Sequence, residues 1–307
     1  MTTAPHPATR PRARHARRVL CLMACAVGAL PHLAGAENSR PVQEGWVPRV
    51  AAALASGSAA SAGAPAQRLR GPQPAGACAQ IAFDVGLRHP GTTQVLVVLA
   101  PAASSTTGTL QLADLGPRGW ECGTARRVRL GSNGVRPLAD RRSGDGTTPA
   151  GVFPLGVMTA WDGQVFSFFG NSPDPGVTAG AYRAVRAGDC FGATPNHPDY
   201  GHLVQRARSA CPGPDDEYLP AVTGAYEHAA LIGANMEPDV SGDAPGEVPY
   251  ASAIFLHRDS LDGAGNSRPT SGCVSLAHGD LVEVLRVMRP GVMFALGTAE
   301  WLLAHPA

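Results

Sequence analysis

The stretch Ala253-Ile-Phe-Leu-His257-Arg-Asp-Ser-Leu-Asp-Gly-Ala-Gly-Asn-Ser-Arg-Pro-Thr-Ser-Gly-Cys273-Val-Ser-Leu-Ala277 holds the densest chemistry in the chain. His257 ends an apolar run that reads as a strand, and Cys273 follows Ser271-Gly272 at a distance of 16 positions. A thiol is a good nucleophile only as thiolate, and a nearby imidazole can take its proton. A glycine just ahead of the nucleophile lets a substrate carbonyl approach the backbone closely. The amides of Gly272 and Cys273 are then the expected binding site for a developing oxyanion. A lone Cys is more often a small buried hydrophobe, and a lone His after an apolar run is more often a satisfied strand-end residue. The pairing of this His with this Gly-Cys at this spacing points instead to acyl transfer through a thioester.

These residues resemble the L,D-transpeptidases, the YkuD-type catalytic domain that cross-links bacterial peptidoglycan. That family carries a strand-end His, a Gly-rich loop, then Ser/Thr-His-Gly-Cys, commonly with the same His-to-Cys spacing. Thr270-Ser271-Gly272-Cys273 matches that block, with Ser271 where the family's second His usually stands and Ser275 where many members have Arg. Upstream, Asp145-Gly-Thr-Thr-Pro-Ala-Gly-Val-Phe153 is similar to the family's Thr-Pro-x-Gly-x-Phe turn. The likeness spans roughly residues 95 to 298. It implies a mainly β fold, a mixed β-sandwich with one helix after the cysteine loop. It implies Cys273 as nucleophile and His257 as base, with the backbone carbonyl of Arg258 orienting the imidazole. Ser271 either shares that task or caps the loop. The implied partners are peptidoglycan stem peptides, and no metal or organic cofactor is required.

Residues 1–36 read as a secretory signal. Arg10, Arg12, Arg14, Arg17 and Arg18 form a basic start, Val19 to Leu30 an apolar run, and Ala34-Gly35-Ala36 a cleavage site. The apolar run is shorter than the roughly 20 residues a membrane span needs, so a cleaved, exported chain with no membrane span is expected, in the periplasm, the cell wall or outside the cell. All 25 basic residues are arginine, which excludes a lysine nucleophile. With five arginines gone, 20 face 24 acids, a net charge of −4 that argues against nucleic acid as partner.

Beyond the signal, Cys78, Cys122, Cys190, Cys211 and Cys273 remain. Two disulfides and one free thiol suit an oxidising compartment. Local pairing, Cys78–Cys122 and Cys190–Cys211, leaves Cys273 free. Cys190, His197, His202 and Cys211 also make a zinc set, but paired Cys-x-x-Cys spacing is missing, so the disulfide is the reading retained.

Between 37 and 76, 24 of 40 residues are Ala, Gly, Ser or Pro, the composition of a flexible linker, with one short helix expected at 48–55. The catalytic domain is expected over 77–298 and a short tail over 299–307. Strands are expected at 93–99, 108–113, 119–122, 126–130, 165–169, 225–232 and 292–296. A helix is expected at 280–289 from the spacing of Leu281, Val284, Leu285 and Met288. The polar stretch at 188–220 reads as a lid over the groove, too rich in Pro and Gly to hold a core of its own.

Three other classes compete. A sortase-like transpeptidase would pair Cys273 with His202 and with Arg286 or Arg289. A papain-like peptidase needs a His after the Cys, and only His278 and His305 follow. A non-catalytic wall-binding module would not need a free thiol. Within the transpeptidase reading, water in place of an amine makes the same site an L,D-carboxypeptidase.

Overall fold

Strand β1 (Gln94–Ala100) runs through the middle of the molecule and is apolar on both faces. Leu96 and Val98 point into one core, Val95 and Val97 into another. A strand covered on both sides reads as a continuous apolar run rather than as an alternation. Its neighbour β2 (Thr107–Gly116) alternates, with Gly108, Leu110 and Leu112 buried and Thr109 exposed. The computed structural model describes residues 76–305, apart from 212, 214, 237–239, 241–245 and 247. The leader at 1–36, the linker up to 75 and the helix at 48–55 lie outside the described residues.

The next strands are β3 (Gly119–Cys122), β4 (Arg126–Arg129), β5 (Val135–Pro137), β6 (Thr148–Pro154), β7 (Met158–Thr159) and β8 (Val165–Phe166). After them come β9 (Phe168–Gly170), β10 (Tyr182–Ala184), β11 (Asp189–Phe191), β12 (Leu203–Gln205) and β13 (Glu217–Tyr218). The last are β14 (Ala229–Leu231), β15 (Phe255–Arg258), β16 (Val274–Leu276) and β17 (Met293–Thr298). The helices are α1 (Ala77–Arg88), α2 (His278–Val287) and α3 (Ala299–Ala304).

The protein is mainly β. Twelve strands form one mixed sheet in the order β10-β9-β14-β15-β16-β4-β2-β1-β17-β6-β5, with β3 paired to β2. Phe168 near one end of that order and Phe153 near the other belong to the same core, together with Leu256 and Phe294. The sheet therefore curls around the apolar core that these residues share. Helix α2 closes it with Leu281, Val284 and Leu285, and Met288 follows. Fully burying side chains of this size contributes about 1.5–3 kcal/mol each.

Several expectations are corrected. The helix expected at 280–289 spans His278–Val287, because Met288 already turns to ψ 140° ahead of Arg289-Pro290. Within 225–232 only Ala229–Leu231 is strand; Ala225–Glu227 is a 3₁₀ turn that presents the Tyr226 ring. The run at 165–169 splits at Ser167, whose amide bonds the Ala181 carbonyl.

Within the described residues one helix was expected, and two more are present. Helix α1 buries Cys78, Ile81, Ala82 and Val85 at the 3-4 spacing of an amphipathic face. The expected tail at 299–307 carries α3, capped by Thr298 Oγ1, which accepts from the Trp301 amide at 3.2 Å. Leu302 of α3 packs with α1 against Val95, Val97 and Met293. The Cys78–Cys122 disulfide ties α1 to β3.

The segment 188–220 is not a loose flap. Strands β11, β12 and β13 make a small sheet, and the Cys190–Cys211 disulfide crosses it. Phe191, Leu203 and Leu219 share a core with Tyr226, Phe255 and Cys273. Its polar composition conceals this because a handful of apolar residues, Phe191, Leu203 and Leu219 among them, make the buried contacts. Asp189, fully buried, pairs with buried Arg183, which anchors the segment to β10.

Candidate active site

Strands β15 and β16 are parallel neighbours, with Leu256 opposite Val274 and His257 opposite Ser275. Cys273 stands immediately ahead of β16. Both His257 and Cys273 line one cavity of about 520 Å³, together with Tyr226, Glu217, Thr270 and Ser271. The long Gly-rich connection from 259 to 273 brings the two strands side by side in the same direction, which a tight hairpin cannot do.

The thiol is 8% exposed and held on both sides. Its Sγ donates to the Ala253 carbonyl at 3.2 Å and accepts from the Phe255 amide at 3.4 Å. Burial pushes its pKa up to about 12, with the Glu217 charge adding to the rise and the Phe255 amide and Arg141 opposing it. Cys273 is thus a resting thiol, and it is the one free cysteine among the described residues.

The imidazole of His257 is 5% exposed. Its Nδ1 lies 2.6 Å from the carbonyl oxygen of Arg258. A carbonyl only accepts, so Nδ1 carries the proton and Nε2 keeps its lone pair. Burial pulls the His257 pKa below the ordinary imidazole value, against the Arg258 carbonyl and the charge of Asp259. The neutral, basic tautomer is the resting form. The Arg258 backbone carbonyl is thus the partner of the imidazole Nδ1, while the Arg258 side chain turns to Glu227 at 2.5 Å.

The loop before the thiol explains the glycine. Gly272 has φ +149°, and a Cβ there would sit 3.0 Å from the Thr147 carbonyl oxygen. The Gly272 amide, expected at an oxyanion site, donates instead to Thr270 Oγ1 at 3.2 Å, and that hydroxyl donates to the Cys273 carbonyl at 2.6 Å. The loop closes on itself because Thr270 satisfies its own turn. Ser271 is exposed at the junction of two cavities, and among the described residues no hydrogen bond joins it to His257. Ser275 donates to Asp259 at 2.6 Å.

Three residues at the site carried no sequence signal. Tyr226 sits edge-on to Phe169, Phe255 and His257. Its hydroxyl donates to Glu217, whose pKa burial raises to about 7, against that hydrogen bond. Arg141 is buried beside Gly272 and lines a second cavity of about 300 Å³ that also reaches Cys273.

The cysteines of the zinc alternative are joined as Cys190–Cys211. Among the described residues no group of three His, Cys, Asp or Glu side chains is placed to hold a metal ion. Nor is any helix there long and apolar enough to cross a membrane. Arg286 bonds the Pro175 carbonyl and Arg289 bonds Asp114, and neither they nor His202 line either cavity at Cys273. Two disulfides fit an exported protein. No protein-family model matches this chain, and no curated protein matches it either.

Proposed function

We propose that the protein is a cysteine-dependent peptidoglycan L,D-transpeptidase, with the mixed sheet built on that family's plan. The observation that carries the reading is the His257 Nδ1 contact with the Arg258 carbonyl, in the cavity that holds a buried free thiol. It leaves Nε2 as the basic nitrogen, the state that an acyl-transferring cysteine requires of its partner.

In this mechanism His257 Nε2 takes the Cys273 proton as Sγ attacks the amide carbonyl on the L-centre side of the diamino acid in a stem tetrapeptide. The C–S bond forms and the C–N bond breaks. The imidazolium gives its proton to the leaving D-alanine amine. An amine from a neighbouring stem then attacks the thioester. His257 Nε2 takes the proton that the attacking amine loses as the new C–N bond forms, and returns it to the sulfur as the C–S bond breaks. With a resting thiol near 12 and a depressed imidazole, proton transfer accompanies attack rather than preceding it.

Incubation with a disaccharide tetrapeptide tests the reading by mass. A cross-linked dimer supports it, and tripeptide alone makes the site an L,D-carboxypeptidase. Unchanged substrate together with an inert Cys273 towards thiol reagents leaves a wall-binding module.

A further inference from the structure

Arg141 is 2% exposed, an expensive place for a cation. Its protein partners hydrogen-bond only part of the guanidinium, although Nη1 is buried with the rest of it. Nε donates to Thr147 Oγ1 at 3.3 Å, and Nη2 lies 3.5 Å from Asp145 Oδ1. Nη1 has no hydrogen-bond partner among the described residues. Asp145 does not balance this charge alone, because its carboxylate also lies 3.6 Å from Arg136 Nη1.

This guanidinium belongs to the reacting loop. A Cβ on Gly272 would meet Arg141 Nη2 at 3.3 Å. The 300 Å³ cavity that Arg141 lines shares Cys273, Ser271 and Glu217 with the larger one. Both cavities thus border the thiol.

We infer that Arg141 is the anion anchor of this site, using its Nη1 edge to bind a carboxylate carried by the molecule that reacts with Cys273. A planar fork suits a carboxylate. A dianion such as phosphate is disfavoured by Asp216 in the same cavity, whose charge is fixed by the Ala193, Thr194 and Gly213 amides. The anchor deepens the acyl-transfer reading by naming its substrate as an acid, and for the word substrate it rests on that reading.

The test compares two alkylating reagents on Cys273 in the full chain. Iodoacetate and iodoacetamide react alike, Sγ displacing iodide, but only the first is an anion. The rate ratio of iodoacetate to iodoacetamide, measured by peptide mass, should exceed that of free cysteine by roughly tenfold. Arg141→Gln should return it to the free-cysteine value, and Arg141→Lys should fall between. Because both reagents report one thiol, altered reactivity moves both rates and leaves the ratio. An unchanged ratio in a folded Arg141→Gln overturns the anchor. Should that variant not fold, the wild-type chain decides: N-acetylglycine should slow iodoacetamide labelling and N-acetylglycinamide should not, and equal effects overturn the anchor. A preserved anion preference with no product from a stem peptide would remove the transpeptidase reading alone.

Discussion

The ring of Tyr226 stands at 88° to the imidazole of His257, with 5.5 Å between centroids, and its hydroxyl donates to Glu217. One aromatic side chain thus links the candidate base to a carboxyl from the 188–220 segment. Glu217 also acts directly on the thiol, because its charge raises the Cys273 pKa.

Glu217→Gln should make Cys273 react faster with iodoacetamide above pH 7 and leave the rate unchanged well below it. Stability should shift as well. The folded pKa of Glu217, about 7, lies above its ordinary value of 4.5, so the folded state keeps a proton that the unfolded chain releases. That contribution is full below pH 4.5 and is lost as pH rises through about 7. The variant should flatten this slope by on the order of 1–3 kcal/mol, read from denaturant midpoints across the range.

Cys273→Ser should abolish acyl transfer while keeping the fold, since the side chains are nearly the same size. A carbapenem, which mimics an acylating stem peptide, should add to Cys273 as a covalent adduct visible by mass. An adduct that survives Cys273→Ala would place the nucleophile elsewhere.

His257→Ala should slow acylation by about 10²–10⁴-fold near neutral pH. Since burial lowers the His257 pKa, the neutral base persists into more acid solution, and the acid limb of the wild-type rate should fall below the ordinary imidazole value of 6.5. Substitution of His197, His202 or His278 should matter far less. Equal damage from His202→Ala would restore the sortase-like arrangement.

Replacing Cys190 and Cys211 together by Ala should cost roughly 3 kcal/mol in the chain-entropy view of a loop this long. Phe191, Leu203 and Leu219 still pack on Tyr226 and Phe255, so the small sheet should loosen rather than detach. Capture of substrate should weaken more than the reaction of Cys273 with iodoacetamide. Hydrogen exchange confined to 188–220 would agree, and uniform loss of protection across the large sheet would not.

His257 and Cys273 were legible because they sit on one short, Gly-rich connection, where spacing alone brings two chemistries together. β1 was legible because its apolar run is unbroken, and α2 because its apolar residues recur at the 3-4 spacing of a helix. The neighbours of the pair were not. Glu217 and Tyr226 arrive through the β11–β13 pairing and a 3₁₀ turn, contacts that form only once distant segments meet. Arg141 is one of many arginines in a chain without lysine, and nothing local marks it as the buried one. The strand order was hidden for the same reason as Glu217: parallel neighbours such as β1 and β17 are set by contacts across nearly the whole domain.

The Cys78–Cys122 bond has a mechanical meaning. Cys78 is the second residue of α1, and Cys122 closes β3 on the flank of the large sheet. A pull on the chain ahead of Gly76 would reach β3 through a covalent link before it could peel α1 from its seat. Unzipping from that end would require stripping strands rather than unwinding a helix. Such a load would enter the large sheet at β3 and β2, with β4 standing between them and the β15–β16 pair.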